Sequence, residues 1–349
     1  MPPPPSRAAT SDPKILIAVP EPLRGRILTE QARDKLHSLG TIVYNEQGRN
    51  WTGSELADRL HGVDVLLASW GLAPLTEDVL ARADRLRLVA YAAGSVKAWA
   101  TEAVFRRRPG SPSGIAIAHA AHRIADSVAE FSLMAALAGL RQAAWLDRRM
   151  RAGARWPGET PQATHEIRGC RVGVLGMGHV GQRAAKLFQA VGAEVWAYDP
   201  YLPTEGARAR GVRLAELEEL LKSCLVVSVH LPVTDETRHL LGARELGLIQ
   251  DGAVLVNTAR AWVIDGDALL RELATGRFWA ALDVYDEEPL PADHALRSME
   301  NVLLTPHVAG QTTESHTSLL GEMVDETARF VRGEPLQHQV TADMLATMA

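Results

Sequence analysis

The sequence is poor in cysteine, in net charge and in long apolar runs, and each shortage excludes a class of protein. Its 349 residues include two cysteines, Cys170 and Cys224, so neither a disulfide framework nor a cysteine-based metal site is expected. Apolar neighbours predict that both thiols are buried, as in a reduced cytoplasmic protein. The formal net charge of -5 provides no overall positive field to hold a nucleic acid.

Membrane and secretion signals are also missing. The longest apolar stretch, residues 131–140, is shorter than a membrane span and is interrupted by Ser132 and Gly139. The first residues, MPPPPSR, lack the apolar segment of a secretory signal, and residues 1–13 are expected to form a disordered tail. We therefore expect a cytoplasmic protein whose partner is a small molecule, not a membrane or a nucleic acid.

What the chain does contain is a regular alternation of short apolar runs with longer amphipathic segments. This alternation predicts a parallel sheet with helices on its faces. It occurs twice, before and after a helical pattern at residues 125–150, which predicts two doubly wound α/β domains and a connecting helix with Asp126 or Ser127 as its N-cap. The strands are predicted at residues 15–19, 41–44, 63–68, 86–91, 115–118, 172–175, 194–198, 225–229, 254–257, 280–284 and 302–305.

A further amphipathic helix is predicted at residues 313–332, after the second series of strands has ended. A chain that has completed one domain and then forms a long helix is expected to return to the first domain. We therefore predict a discontinuous first domain of residues 14–124 and 308–349, and a second domain of residues 125–307.

A glycine motif, GMGHVG, follows the first strand of the second series and precedes an amphipathic helix, which is the context of a dinucleotide site. Gly176 permits the tight turn after the strand, and Gly178 lets the backbone approach a pyrophosphate. Gly181 lets the helix pack closely on the sheet. The amides of His179 and Val180, at the start of that helix, are expected to bind the diphosphate.

Asp199 ends the next predicted strand and is expected to hydrogen-bond both hydroxyls of the adenosine ribose. Its charge would repel a 2'-phosphate, and no lysine or arginine follows it directly. The sequence therefore predicts NAD as the cofactor in preference to NADP.

Three further side chains lie between residues 260 and 307. Arg260 ends the segment NTAR, Glu288 lies in LDVYDEEP, and His307 lies in TPHVAG. An arginine fork holds a carboxylate, a histidine transfers a proton near neutral pH, and a carboxylate orients a histidine and favours its protonated form. Singly, these residues could be a surface cation, a solvated acidic turn and a strand-end cap. Together, at predicted strand ends, they indicate 2-hydroxy acid chemistry.

These segments, with Asp199 and the HLP at residues 230–232, resemble the D-isomer specific 2-hydroxyacid dehydrogenase family in the same order. The resemblance implies two Rossmann-like domains with a cleft between them. It identifies residues 125–307 as the NAD-binding domain and residues 14–124 with 308–349 as the flavodoxin-like substrate-binding domain. A homodimer is also implied, because residues 145–167 resemble the arm that wraps a twofold partner in that family.

The resemblance also implies roles for individual residues. Arg260 would bind the substrate carboxylate and carbonyl, His307 would be the acid/base, and Glu288 would pair with His307. Hydride would pass between nicotinamide and a D-2-hydroxy acid or 2-keto acid, with no metal required. The remaining residues implied to contact the cofactor are Pro232, Thr237, Thr258, Asp283 and Gly310.

The predicted substrate loop departs from the family pattern. The family usually resembles Gly-Val-Gly-Val-Asp-Asn here, whereas this chain has AGSVKAW at residues 93–99. The amides of Gly94 and Ser95 can still bind a carboxylate. Lys97 is either an additional cation near the substrate, as in the phosphite dehydrogenase branch, or a side chain that faces solvent. The R group of the substrate is left open.

Two other functions stay open on the same fold. One is an NAD-sensing regulatory protein similar to the C-terminal-binding-protein corepressors. The presence of Arg260, Glu288 and His307 together disfavours a purely binding role. The other is a phosphite- or formate-type dehydrogenase. The formate dehydrogenases of this family have glutamine where this chain has Glu288, which disfavours that activity.

Overall fold

A computed structural model describes residues 12–106, 114–154, 163–346 and 348. The chain divides into two compact units, Met1–Ile124 with Thr312–Ala349 (unit 1) and Ala125–Gln311 (unit 2). Most of the predicted N-terminal tail and part of the predicted arm, residues 155–162, lie outside the described residues. None of the helices in the described part combines the length and hydropathy needed to cross a membrane.

Each unit is built on one sheet of short strands. The strands of the described residues are β1 (Lys14–Ile17), β2 (Thr41–Tyr44), β3 (Val65–Ala68), β4 (Leu88–Tyr91), β5 (Ala116–His119), β6 (Arg171–Leu175), β7 (Glu194–Tyr198), β8 (Arg213–Leu214), β9 (Val226–Val229), β10 (Val254–Asn257), β11 (Trp279–Leu282), β12 (Val302–Leu304) and β13 (Gln339–Val340).

Helices connect the strands and cover the faces of the sheets. The α-helices of the described residues are α1 (Leu23–Ile27), α2 (Glu30–His37), α3 (Gly53–Ala57), α4 (Glu77–Leu80), α5 (Glu102–Phe105), α6 (Ala121–Leu140), α7 (Ala143–Arg151), α8 (His179–Ala190), α9 (Thr204–Ala209), α10 (Leu217–Ser223), α11 (Ala243–Leu246), α12 (Gly266–Ala274) and α13 (Thr313–Val331). Short 3₁₀ turns occur at Ala261–Val263, Ala295–Ser298 and Asp343–Ala346.

In unit 1 the strand order is β13-β5-β4-β3-β1-β2, and the strands run parallel except where β13 pairs antiparallel with β5. β3 and β4 are buried at every position, as expected for central strands covered on both faces. Successive side chains of β1 point to opposite faces, so Leu16 joins one apolar cluster while Ile15 and Ile17 join the cluster that packs against α13.

In unit 2 the order is β12-β11-β10-β9-β6-β7-β8, and all neighbouring strands are parallel. The chain adds β7 and β8 on one side of β6 and then adds β9 to β12 on the other side. The boundary between β6 and β9 is therefore the topological switch point. Open α/β sheets bind ligands beyond the carboxyl ends of the strands at such a point. The predicted class of two doubly wound parallel-sheet units is therefore confirmed.

The connecting helix differs from the prediction. Its predicted N-cap, Asp126 or Ser127, is wrong, because α6 begins at Ala121 and both residues lie within it. No proline or glycine separates Ala121 from Asp126, so nothing in the backbone prevents the helix from starting earlier. The helix also ends earlier than expected. Gln142 adopts a left-handed conformation with φ of 53°, which separates α6 from α7.

The prediction that both cysteines are buried is correct for one of them. Cys224 is buried, but Cys170 is partly exposed, and its thiol donates to the Glu166 carbonyl at 2.8 Å. The prediction for Cys170 was wrong because the residue lies in the turn before β6, not within the strand. The pKa of both thiols is raised by burial, to about 12 for Cys224.

Candidate active site

The glycine motif forms the turn between β6 and α8. Gly176 has φ of 92°, a conformation that is costly for residues with a Cβ. A Cβ on Gly181 would lie 1.9 Å from the Gly176 carbonyl oxygen, so the close packing of the helix start on this turn requires glycine. A Cβ on Gly178 would meet nothing within 4 Å. The fold itself does not require glycine at this position, which leaves room for a ligand.

Asp199 follows β7 and supports this turn. Its Oδ2 accepts a hydrogen bond from the Met177 amide at 2.7 Å, and its Oδ1 accepts from the Tyr201 amide at 2.9 Å. Each carboxylate oxygen has a second lone pair, so these bonds leave acceptor capacity for hydroxyl groups. His179 and Val180, whose amides were predicted to bind phosphate, are the first two residues of α8.

Arg260 lies in a loop shaped by the last residue of β10. Asn257 Oδ1 accepts from the Ala259 amide at 3.1 Å, and Asn257 Nδ2 donates to the Arg260 carbonyl at 3.0 Å. The guanidinium donates through Nη1 to the Ala259 carbonyl at 2.7 Å. Burial lowers the pKa of Arg260, and the charge of Glu288 opposes this effect. The result is a partly desolvated cation, which strongly favours an anionic partner.

His307 follows β12 with φ of 55°, an uncommon conformation for a residue other than glycine. The buried carboxylate of Asp283 holds the chain on both sides of it. Asp283 Oδ1 accepts from Thr305 Oγ1 at 2.6 Å and from the Val308 amide at 2.9 Å, and Oδ2 accepts from the Ala309 amide at 2.8 Å. This supporting role of Asp283 was missed by the sequence analysis, which connected the residue with the cofactor.

The ring of His307 is oriented by Glu288. His307 Nδ1 lies 2.8 Å from Glu288 Oε2, while Glu288 Oε1 accepts from the Tyr285 amide at 3.0 Å. The carboxylate is thus fixed by the backbone of its own loop before it contacts the ring. Because Nδ1 faces Glu288, Nε2 is the nitrogen that can exchange a proton with a ligand.

Tyr285 connects the ends of two neighbouring strands, a role that sequence reasoning did not identify. Its hydroxyl lies 2.9 Å from the Leu282 carbonyl oxygen and 2.8 Å from the Thr305 carbonyl oxygen, between which its single proton is shared, and it accepts from the Thr305 amide at 3.1 Å. Burial raises the pKa of Tyr285 to about 12, so the hydroxyl remains protonated and able to donate at neutral pH.

The other predicted cofactor residues of unit 2 lie in ordered loops. Thr237 Oγ1 donates to the Pro232 carbonyl at 2.6 Å and so closes the loop after β9. The Thr258 hydroxyl is buried 3.0 Å from Ser132 Oγ of α6. Gly310 lies in the turn that follows Ala309, where the Gln311 amide donates to the Val308 carbonyl at 2.8 Å.

His230, in the HLP segment, is partly buried and is not a candidate for the proton donor. Its Nε2 lies 2.9 Å from Ser228 Oγ, and burial lowers the pKa of the ring to about 4. Among the described residues, none forms a hydrogen bond with its Nδ1, an atom that is itself buried. Burial thus favours the neutral form of the ring.

Gly94 and Ser95, the predicted substrate residues of the first domain, lie in unit 1 after β4. His119 Nδ1, at the end of β5, is 3.0 Å from the Gly94 carbonyl oxygen, a contact that the sequence did not reveal. Ser95 Oγ accepts from the Lys97 amide at 3.3 Å, and Lys97 itself is exposed.

Within unit 2 the predicted residues share one structural position. Each of them follows the carboxyl end of a strand. The glycine motif follows β6 and the HLP segment follows β9, while Arg260 follows β10, Asp283 follows β11 and His307 follows β12. A dinucleotide turn at the switch point, together with an arginine, a histidine and a carboxylate at neighbouring strand ends, is typical of NAD-dependent oxidoreductases.

Comparison with known proteins identifies the family within this class. The model of the D-isomer specific 2-hydroxyacid dehydrogenase NAD binding domain matches residues 133–309. The chain is 31% identical over 329 residues to D-3-phosphoglycerate dehydrogenase from Methanocaldococcus jannaschii, an alignment that covers 94% of this chain and 59% of that protein. It is 35% identical over 265 residues to glyoxylate reductase from Aeropyrum pernix, covering 74% and 77% of the two chains.

A solved structure shows the same fold. The crystal structure of a D-lactate dehydrogenase from Treponema pallidum matches with a TM-score of 0.74 and 27% sequence identity, covering 94% of this chain and 99% of that one. The chain therefore belongs to the D-isomer specific 2-hydroxyacid dehydrogenase family, and its cofactor is NAD. The predictions of family and cofactor are confirmed. The chain spans 59% of the length of the Methanocaldococcus relative.

Proposed function

We propose that the protein is an NAD-dependent dehydrogenase that interconverts a D-2-hydroxy acid and the corresponding 2-keto acid. The observation that carries this proposal is the 2.8 Å contact between His307 Nδ1 and Glu288 Oε2, in the unit that also holds Arg260 and the glycine turn. A histidine whose ring is oriented by a carboxylate is suited to acid/base work on a substrate hydroxyl.

Arg260, His307 and Glu288 have separate tasks in this reaction. NAD supplies the chemistry of hydride transfer to and from C2 of the substrate. In reduction, His307 donates a proton from Nε2 to the carbonyl oxygen, and Arg260 stabilises the negative charge that develops on that oxygen. In oxidation, neutral His307 accepts the hydroxyl proton. Glu288, 2.8 Å from Nδ1, orients the ring in reduction and in oxidation.

The proposed contacts with the cofactor use the ordered loops of unit 2. The amides of His179 and Val180 bind the diphosphate, and the space beside Gly178 allows its close approach. Asp199 binds the adenosine ribose. The remaining contacts are assigned to Pro232, Thr237, Thr258, Asp283 and Gly310.

The assignments for unit 1 and for the whole protein belong to the same proposal. Unit 1 is the substrate-binding domain, in which the amides of Gly94 and Ser95 bind the substrate carboxylate, and unit 2 is the NAD-binding domain. Lys97, exposed in the same loop, is a candidate for selecting substrates with a second negative charge. We further propose a cytoplasmic homodimer.

A panel of 2-keto acids, assayed for NADH oxidation, tests the proposal and identifies the substrate. We expect turnover with at least one member of a set that includes glyoxylate, pyruvate, hydroxypyruvate and oxaloacetate, and slower turnover with NADPH because Asp199 repels its 2'-phosphate. NADH binding measured by fluorescence is the control for cofactor loading. Binding of NADH without turnover of any 2-keto acid would contradict the proposal and favour an NAD-sensing regulatory protein.

A further inference from the structure

Unit 1 contains a cluster of two histidines and one glutamate that has no part in the proposed reaction. His122 lies at the start of α6, Glu322 in α13, and His338 directly before β13. Glu322 Oε1 lies 3.1 Å from His338 Nε2, and Glu322 Oε2 lies 3.7 Å from His122 Nε2. One potential ligand atom from each residue lies within 4.8 Å of the other two. The sequence does not reveal this cluster, because its members are far apart in the chain.

The position of His338 is fixed by a second buried carboxylate. Glu326, one turn after Glu322 in α13, is fully buried, and its Oε2 accepts from the amides of Gln337 and His338 at 2.9 and 3.2 Å. The His338 carbonyl in turn accepts from the His119 amide at 3.1 Å. The backbone of His338 is thus held on both sides, so the proximity of its ring to Glu322 is a consequence of the fold.

The carboxylate of Glu322, at the centre of the cluster, is buried and already has a cationic partner. Arg123 Nε donates to Oε2 at 2.6 Å. Oε1 faces His338, so the guanidinium and the imidazole approach different oxygens. Arg123 is half exposed, which allows its side chain to turn towards solvent when another cation approaches.

We propose that His122, Glu322 and His338 bind a divalent first-row transition-metal ion of the Zn²⁺ type. Two imidazole nitrogens and one carboxylate oxygen form a ligand set that suits zinc, cobalt or nickel better than magnesium or calcium. An ion with bonds of about 2.1 Å holds neighbouring ligand atoms roughly 3 to 3.5 Å apart, so the ligand atoms, which lie within 4.8 Å of one another, must move closer together when the ion binds. The remaining coordination positions are filled by water.

Binding requires the two histidine rings to leave their stacked arrangement. The imidazoles of His122 and His338 are stacked, with centroids 3.7 Å apart and planes inclined by 18°. A metal ion lies near the plane of each ligating ring, so the rings turn towards each other as the ion enters. The bound ion connects the start of α6, the middle of α13 and the segment before β13. We therefore assign it a structural role, in which binding stabilises unit 1.

Calorimetric titration of the chelator-treated full chain with ZnCl₂ tests the site. We expect one ion per chain in the wild type and a loss of affinity of at least about 100-fold in His122→Asn and in His338→Asn, since each removes one of three protein ligands. His61→Asn is the matched control because His61 is exposed and pairs with Asp84 outside the cluster. Circular dichroism checks that each variant is folded.

Arg123→Gln is expected to raise the affinity for zinc, whereas the histidine variants lower it. Removing the guanidinium leaves all three ligands and abolishes a competing cation, so zinc is expected to bind several-fold more tightly than in the wild type. Cobalt should give a visible absorption spectrum that disappears in His338→Asn. In thermal unfolding, zinc should raise the Tm of the wild type and of His61→Asn but not that of His122→Asn.

Several results would overturn the proposal. Absence of stoichiometric zinc binding in the folded wild type would do so, as would equal affinity in the wild type and both histidine variants, which would place the ion elsewhere. A wild-type Tm that does not change when zinc or cobalt is added would contradict the structural role.

Discussion

Replacing His307 with asparagine is expected to lower kcat for 2-keto acid reduction by roughly 10²- to 10⁴-fold, the range for loss of a positioned proton donor. Asparagine is chosen because it tolerates the left-handed conformation at this position, where φ is 55°. The loop held by Asp283 should therefore keep its shape. The affinity for NADH, measured by fluorescence titration, should change little, because His307 is assigned to the substrate and not to the dinucleotide.

His61→Asn is the matched control for this variant. His61 is exposed in unit 1, pairs with Asp84 and has no place in the proposed mechanism, so its replacement should leave kcat unchanged. If His307→Asn kept more than about a tenth of the wild-type kcat, the barrier difference would be under about 1.4 kcal/mol. That is too small for the loss of the proton donor, and the assignment of His307 would be wrong.

Replacing Arg260 with lysine is expected to lower kcat/KM by roughly 10²- to 10³-fold although the positive charge is retained. The planar fork of arginine can bind the carboxylate and polarise the carbonyl at the same time, whereas an ammonium acts as a single point charge. Burial lowers the pKa of Arg260, and a lysine in the same place would lose its proton more readily. Both effects act in the same direction.

Steady-state kinetics with the best 2-keto acid measures this loss, and NADH affinity again reports whether the cofactor site is intact. Arg208→Lys, at an exposed position of α9, is the control and should behave like the wild type. An Arg260→Lys variant with unchanged KM and kcat would show that the guanidinium does not contact the substrate.

The parts of the fold that depend on local pattern could be predicted from the sequence. β2, β7 and β10 lie where their apolar runs predicted them, and α13 ends within one residue of the prediction. The two-residue strands β8 and β13 could not be predicted, because they are too short to show an alternation of side chains. The start of α6 was also missed, since its first turn has no cap residue that marks it.

The candidate site also contains some residues that could be predicted from the sequence and others that could not. Arg260, Glu288 and His307 could be proposed as candidates because each is a chemically distinctive residue at or soon after a predicted strand end. The residues that hold functional side chains in place could not be identified from the sequence. Asp283 holds the His307 loop through backbone amides that any sequence would supply, and Glu326 positions His338 from a distant helix. Such contacts depend on tertiary structure, and a single sequence contains no signal for them.

The central claim is that His307, paired with Glu288, delivers the proton in keto-acid reduction. The most direct test is kcat for NADH-dependent reduction of the best 2-keto acid in Glu288→Gln, because glutamine keeps the size of the side chain but removes the carboxylate that lies 2.8 Å from His307 Nδ1. We expect kcat to fall by at least about 10-fold, since the proton donor is no longer oriented by an anionic partner. The affinity for NADH, measured by fluorescence titration, should stay close to that of the wild type. A kcat equal to that of the wild type would contradict the claim.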